Sequence, residues 1–229
     1  MFGVVVNAVA IAIGAIIGVL FRKILSEKIT SAVMMAMGIA TFLIGLKGAL
    51  SAEKTLLLIF SIAMGTAIGT IIDIDKYINK LGEALKKVFV KNDSGDSQFA
   101  EGFASASVLF AVGAMAVLGS ISAGLNHDYS TLFVKATLDF VASIMYAATL
   151  GIGVAFSSIT VFLFQGIIAL FAGSLKFLAD NAGMMNEFAA VGNILVMVIG
   201  LNLMGVIKVK VANMLPAIVL VVLFYSIIP

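Results

Sequence analysis

The chain has 229 residues, 62% of them hydrophobic and 11% charged, against about 45–50% and about 25% in an ordinary soluble domain. A core cannot hide that excess, because a chain of this size leaves roughly a quarter of its surface outside on folding, so the exterior must face lipid. The net charge of +2 is spread between apolar stretches, which argues against nucleic acid as a partner, and the absence of cysteine excludes disulfides, thiol nucleophiles and cysteine metal sites.

The class this implies is an all-α integral membrane protein, a bundle of about eight transmembrane helices. A crossing of about 30 Å needs about 20 apolar residues. In chain order the spans are expected at Phe2 to Phe21, Ile29 to Leu50, Thr55 to Ile72, Phe103 to Leu125, Ser130 to Gly153, Ser157 to Leu175, Glu187 to Val206 and Val211 to Ile228. The first lacks the basic start of a cleavable signal peptide, since Arg22 and Lys23 follow it, and is expected to be retained. In the last, Asn213 reads as a cap with Pro216 in the first turn, which leaves a short crossing.

Orientation follows from the basic residues. Arg22, Lys23, Lys28, Lys76, Lys80, Lys86, Lys87, Lys91, Lys208 and Lys210 fall after odd-numbered spans; Lys47, Lys54, Lys135 and Lys176 make up the rest. Ten against four puts the first set in the cytoplasm and both termini outside. After the third span, Ile74, Ile78, Leu81, Leu85, Val88 and Phe89 recur at helical spacing among lysines, the pattern of an amphipathic helix lying in the membrane interface. A polar linker from Lys91 to Ser97 then separates a three-span part, residues 1–98, from a five-span part, residues 99–229, within one folding unit.

Small residues predict contacts between helices. Gly14 and Gly18 in the first span, and Gly65 and Gly69 in the third, form G-x-x-x-G pairs that let backbones approach closely in lipid. Ile44-Gly45-Leu46-Lys47 echoes Ile199-Gly200-Leu201-Asn202, the kind of echo an internal duplication leaves. Gly151-Ile152-Gly153 reads as a hairpin turn.

Polar residues at membrane depth mark the candidate site. Asp139 lies about 13–14 Å along the fifth span, close to the midplane, with Lys135 one turn before it on the same face. A carboxylate there costs about 2.5–3.5 kcal/mol on insertion scales, so it must pair, face the interior or line a hydrated cavity. Asn7, Ser105, Ser107, Gln165, Asn193 and Asn202 enter from other spans, either as interhelical hydrogen bonds or as liners of one site. Glu187 reads as a first-turn acid, Lys47 as a snorkelling cation and His127 as a loop residue. No metal site and no cofactor are expected.

Several runs together carry a family resemblance: Ala106 to Met115 (ASVLFAVGAM), Lys135-Ala136-Thr137-Leu138-Asp139, Leu150 to Val154, Gln165-Gly166, Gly200-Leu201-Asn202, Val211 to Pro216, and Asn7. In this order they resemble the domain-of-unknown-function 554 family of prokaryotic multi-spanning inner membrane proteins, over nearly the whole chain. The resemblance implies a prokaryotic cytoplasmic membrane protein of transporter-like character, with no established substrate. One departure is visible: Ala136 stands where the family pattern places a serine after the lysine.

The expected function is a secondary transporter or channel for a small solute or ion, with Asp139 as charge or proton carrier, Lys135 as its partner, and Asn7, Gln165, Asn193, Asn202 and Ser107 along the pathway. The alternative is a non-transporting membrane component that oligomerises, as a homodimer for instance, or binds a membrane partner. An enzyme is not expected, because no nucleophile, acid cluster or metal spacing is present.

Overall fold

A computed structural model describes residues 1–22, 26–89, 97–111 and 113–227; of residues 27, 81, 82, 85–89, 97, 98 and 114 it describes the backbone only. Among the described residues the regular structure is helical throughout. Helices α1 (Phe2–Arg22), α2 (Glu27–Ala49) and α3 (Thr55–Ile72) are followed by α4 (Ile74–Phe89), then α5 (Ser97–Ala111) and α6 (Ala114–Leu125). Helices α7 (Ser130–Leu150), α8 (Gly153–Leu170), the short α9 (Lys176–Asp180), α10 (Ala182–Leu203), a 3-10 turn at Val211–Met214 and α11 (Pro216–Ile227) complete the chain.

Six of these helices, α1, α2, α3, α7, α8 and α10, are long and apolar enough to cross a membrane, or seven spans if α5 and α6 are taken as one. The fourth expected span is therefore not straight. It bends by 60° between α5 and α6 at Gly113, whose φ of 140° is open to glycine alone. Gly113 caps α6, its carbonyl accepting from the amides of Ala116 and Val117. The last span is also shorter than a full crossing: α11 has 12 residues, about 18 Å of helix.

Turn chemistry sets the other boundaries. Asp73, at φ 56°, closes α3 in the left-handed region and lets α4 start at once. Gly151, at φ 81°, ends α7, and α8 begins two residues later, so the expected hairpin is present and the sixth span starts at Gly153 rather than Ser157. Asn181 accepts from the amide of Met184 at 2.9 Å and caps α10, which places the start of that helix five residues before the expected Glu187. The linker at 91–96 lies outside the described residues.

The outer surface is hydrocarbon. Leu50, Leu56, Ile71, Leu170 and Ile227 are among many large apolar side chains directed outward, as a lipid solvent requires. Inside, α1 lies along α7, α2 along α10, α3 along α11, and α5 along α8. Glycine makes these approaches possible. A Cβ on Gly14 would strike Ser143 and the Phe140 carbonyl, and one on Gly18 the Ile144 carbonyl; on α3, Gly65 meets Ala217 and Gly69 meets the Asn213 backbone. Both G-x-x-x-G faces are thus occupied by the chain's own helices. The contacts also give direction: rising residue numbers on α1 meet rising numbers on α7, whereas α2 against α10 and α3 against α11 run antiparallel.

Candidate functional site

Helix α7 carries the ion pair. Its face of Leu132, Lys135, Ala136, Asp139, Ser143 and Tyr146 is buried, because small residues of α1 and the apolar wall of α8 close over it. Lys135 Nζ lies 3.0 Å from Asp139 Oδ1 and 2.8 Å from Oδ2, so the ammonium straddles the carboxylate. The Oδ2 contact is electrostatic, without the alignment of a directed hydrogen bond. Lys135 is 8% and Asp139 6% exposed. Two opposite charges removed from water roughly cancel in desolvation and attraction, so the pair adds little net stability, whereas losing one partner costs about 3–5 kcal/mol.

Two amides join this pair from other helices. Asn7 of α1 donates through Nδ2 to Gln165 Oε1 of α8 at 3.3 Å, and Asn7 lies beside the Asp139 carboxylate. Both amides are fully buried. Their outer atoms, Asn7 Oδ1 and Gln165 Nε2, have no partner among the described residues. Leaving a buried polar atom unpaired costs about 1–3 kcal/mol. The cluster therefore holds an unspent acceptor and an unspent donor beside a neutralised charge pair, at a depth where lipid supplies neither.

The remaining expected residues lie elsewhere. Ser107 of α5 donates to Thr160 Oγ1 of α8 at 3.1 Å, an interhelical tie. Asn193 donates back to the Ala189 carbonyl at 2.8 Å and lies against Gly48, joining α2 to α10. Asn202 clips the loop after α10, donating to the Val209 carbonyl at 2.7 Å and accepting from its amide at 3.0 Å. Thus Asn7, Lys135, Asp139 and Gln165 come together, and Ser107, Asn193 and Asn202 do not join them. No group of three or more possible metal-ligating acids or histidines occurs among the described residues.

Three polar contacts were not foreseen. Glu187, 1% exposed, accepts from the amides of Glu53 and Lys54 at 2.7 Å each through Oε1, so it caps α3 rather than its own helix. The signal was Asn181: with the helix starting there, Glu187 falls in the second turn and faces a neighbour. Asn213 likewise caps another helix, accepting from the Asp75 amide at 2.8 Å. Tyr146 of α7 bonds Thr41 of α2; tyrosine in an apolar helix needs a partner for its hydroxyl, but its position alone names none. At the same end as Asn213, Lys210 lies 3.1 Å from Asp73 and, by donating to it, holds that carboxyl below the usual carboxylate range. Desolvation lifts the Asp75 carboxyl above it.

A membrane-embedded helical bundle with a polar cluster buried between three helices is the class that fold and site define. The chain belongs to the family described as protein of unknown function (DUF554), which matches residues 2–226. It is similar to "Uncharacterized membrane protein YdfK" of Bacillus subtilis (strain 168), at 35% identity over 224 residues, 96% of this chain and 93% of that protein. It is also similar to "Uncharacterized protein YqgA" of Escherichia coli (strain K12), at 28% identity over 222 residues, 96% of this chain and 94% of that one. No solved structure matches the chain.

Proposed function

We propose that the chain is a secondary transporter or channel for a small solute or ion, with its binding site at Asn7, Lys135, Asp139 and Gln165. The observation that carries this reading is the unspent hydrogen-bonding capacity of two fully buried amides beside a buried ion pair. Each such orphan is costly unless another species meets it. In this reading Asp139 carries charge or a proton, Lys135 neutralises it between cycles, and the two amides orient the passing species. Catalysis is not part of it, since no nucleophile is poised against a base in the cluster.

The location we infer is the cytoplasmic membrane of a prokaryote, with both termini outside. Support comes from the ten-to-four distribution of basic residues and from the directions of α1 against α7, α2 against α10 and α3 against α11, which fit the order of spans expected from the sequence.

Proteoliposomes loaded with a pH dye and challenged with gradients of Na+, K+, chloride and a panel of small neutral and charged solutes test the reading. Flux is expected for at least one of them. It falls to background in Asp139→Asn, which keeps the side-chain volume and one acceptor oxygen, and in the charge-neutral double variant Lys135→Gln/Asp139→Asn if the single variant folds poorly. Full flux in a folded Asp139→Asn protein removes Asp139 from the mechanism.

A further inference from the structure

The echo between Ile44-Gly45-Leu46 and Ile199-Gly200-Leu201 lies at a helix crossing. A Cβ on Gly45 would strike the amide nitrogen of Met197 and the carbonyl of Asn193, and a Cβ on Gly200 would strike the amide nitrogen of Phe42 and the carbonyl of Gly38. Gly45 to Gly200, Phe42 to Met197 and Gly38 to Asn193 are each separated by 155 residues, as are the starts of α2 and α10. Any antiparallel helix pair has a local two-fold axis, but it does not require the same tripeptide at equivalent places on both helices. The next elements continue the relation: the buried positions Leu57, Ser61 and Gly65 of α3 stand 156 residues before Asn213, Ala217 and Val221, which are also buried. The hairpins α2–α3 and α10–α11 are thus inverted counterparts packed against each other, α2 on α10 and α3 on α11.

These four helices form one body, stitched by Glu187 to the start of α3 and by Lys54 over the Tyr225 ring at 4.6 Å. Helices α1, α5, α6, α7 and α8 form a second body that contains the whole polar cluster. Contact between the two is lighter than in the main helix pairs: α2 touches α7, α10 touches α5 and α6, and the 3-10 turn touches α5, while α4 packs on both that turn and α5. The Thr41–Tyr146 hydrogen bond crosses this seam. At one end the seam opens into a crevice of about 600 Å3, lined by Glu101 and Ser105 of α5, by Lys208 and Ala212 after α10, and by Asp75 and Asn79 of α4.

We propose that transport proceeds by movement of the site-bearing body against the inverted-repeat frame, along the seam latched at Thr41–Tyr146 and open at the Glu101–Lys208 crevice. This rests on the transport reading above and adds to it which parts move. The seam is packed less heavily than the pairs α1–α7 and α2–α10 on either side of it, and two inverted hairpins present similar faces in opposite senses, which suits a partner that takes two positions.

The native absence of cysteine allows spin-label pairs to be placed without background. In liposomes, Glu101→Cys with Lys208→Cys reports on the seam, and Leu43→Cys with Val219→Cys, both lipid-facing, reports on the frame. The expected result is two distance populations across the crevice, in a ratio that changes when Thr41→Val removes the latch, and one population within the frame. A single crevice distance in both backgrounds, or two distances within the frame, would overturn the proposal. The outcomes separate from those of the transport reading. Flux that depends on Asp139 with a single crevice distance rejects the moving seam alone, while two crevice distances without flux of any solute support the motion and reject the transport reading.

Discussion

Lys135 and Asp139 neutralise each other within one turn of α7, and their energetics predict an asymmetry between single and double substitutions. Asp139→Leu strands a buried ammonium and is expected to cost about 3–5 kcal/mol, whereas Lys135→Met/Asp139→Leu recovers most of the loss, because desolvation and attraction leave together. Thermal unfolding in detergent micelles measures both; a double variant no more stable than the single would show that the pair does not act as a unit. At Glu187 the oxygen that accepts the amides of Glu53 and Lys54, at the entry to α3, sets the expectation. Glu187→Ala leaves both amides without their partner and costs roughly 1–3 kcal/mol, and Glu187→Gln, which keeps an acceptor there, costs less. Equal losses for the two variants would contradict the capping role.

The helix pairs depend on glycine at the places where no side chain fits. Gly18→Val drives methyl groups into the Ile144 carbonyl and is expected to destabilise by about 1–3 kcal/mol or more, while Gly173→Ala, with nothing within 4 Å, leaves the melting temperature nearly unchanged. The same comparison shows what was legible in the sequence. Apolar length located the crossings, and G-x-x-x-G spacing marked faces that prove to be in contact, because both signals are local. The partner of each face was not legible. That Gly14 meets α7 and Gly65 meets α11 depends on residues more than a hundred positions away. The bend at Gly113 was missed for a different reason: an apolar run reads as continuous, and only the backbone conformation shows that this glycine leaves the helix.

At the scale of the molecule, four of the seven pathway residues expected from sequence, Asn7, Lys135, Asp139 and Gln165, come together. Asn7 and Gln165 were foreseeable as polar residues in lipid, and Lys135 with Asp139 as an i, i+4 pair, but convergence comes from α1 and α8 closing on the same face of α7. Ser107, Asn193 and Asn202 fit the same polar description and serve helix contacts and a loop instead, a distinction that needs three dimensions. The division expected at residue 98 is likewise crossed by packing, since α2 and α3 rest on α10 and α11. In the inferred orientation, an impermeant reagent added outside intact cells labels a cysteine at Lys47 or Asn126, and one at Lys80 reacts only after permeabilisation.

The central claim is that the amide and carboxylate cluster is a site water can reach, rather than a sealed strut. Reaction of Gln165→Cys with a small charged methanethiosulfonate in proteoliposomes tests it most directly, with the lipid-facing Leu163→Cys on the same helix and the exposed Lys47→Cys as references. The account predicts modification at positions 47 and 165 and none at 163. A cysteine at 165 as inert as that at 163, in a folded protein with reagent on both sides of the membrane, would contradict it.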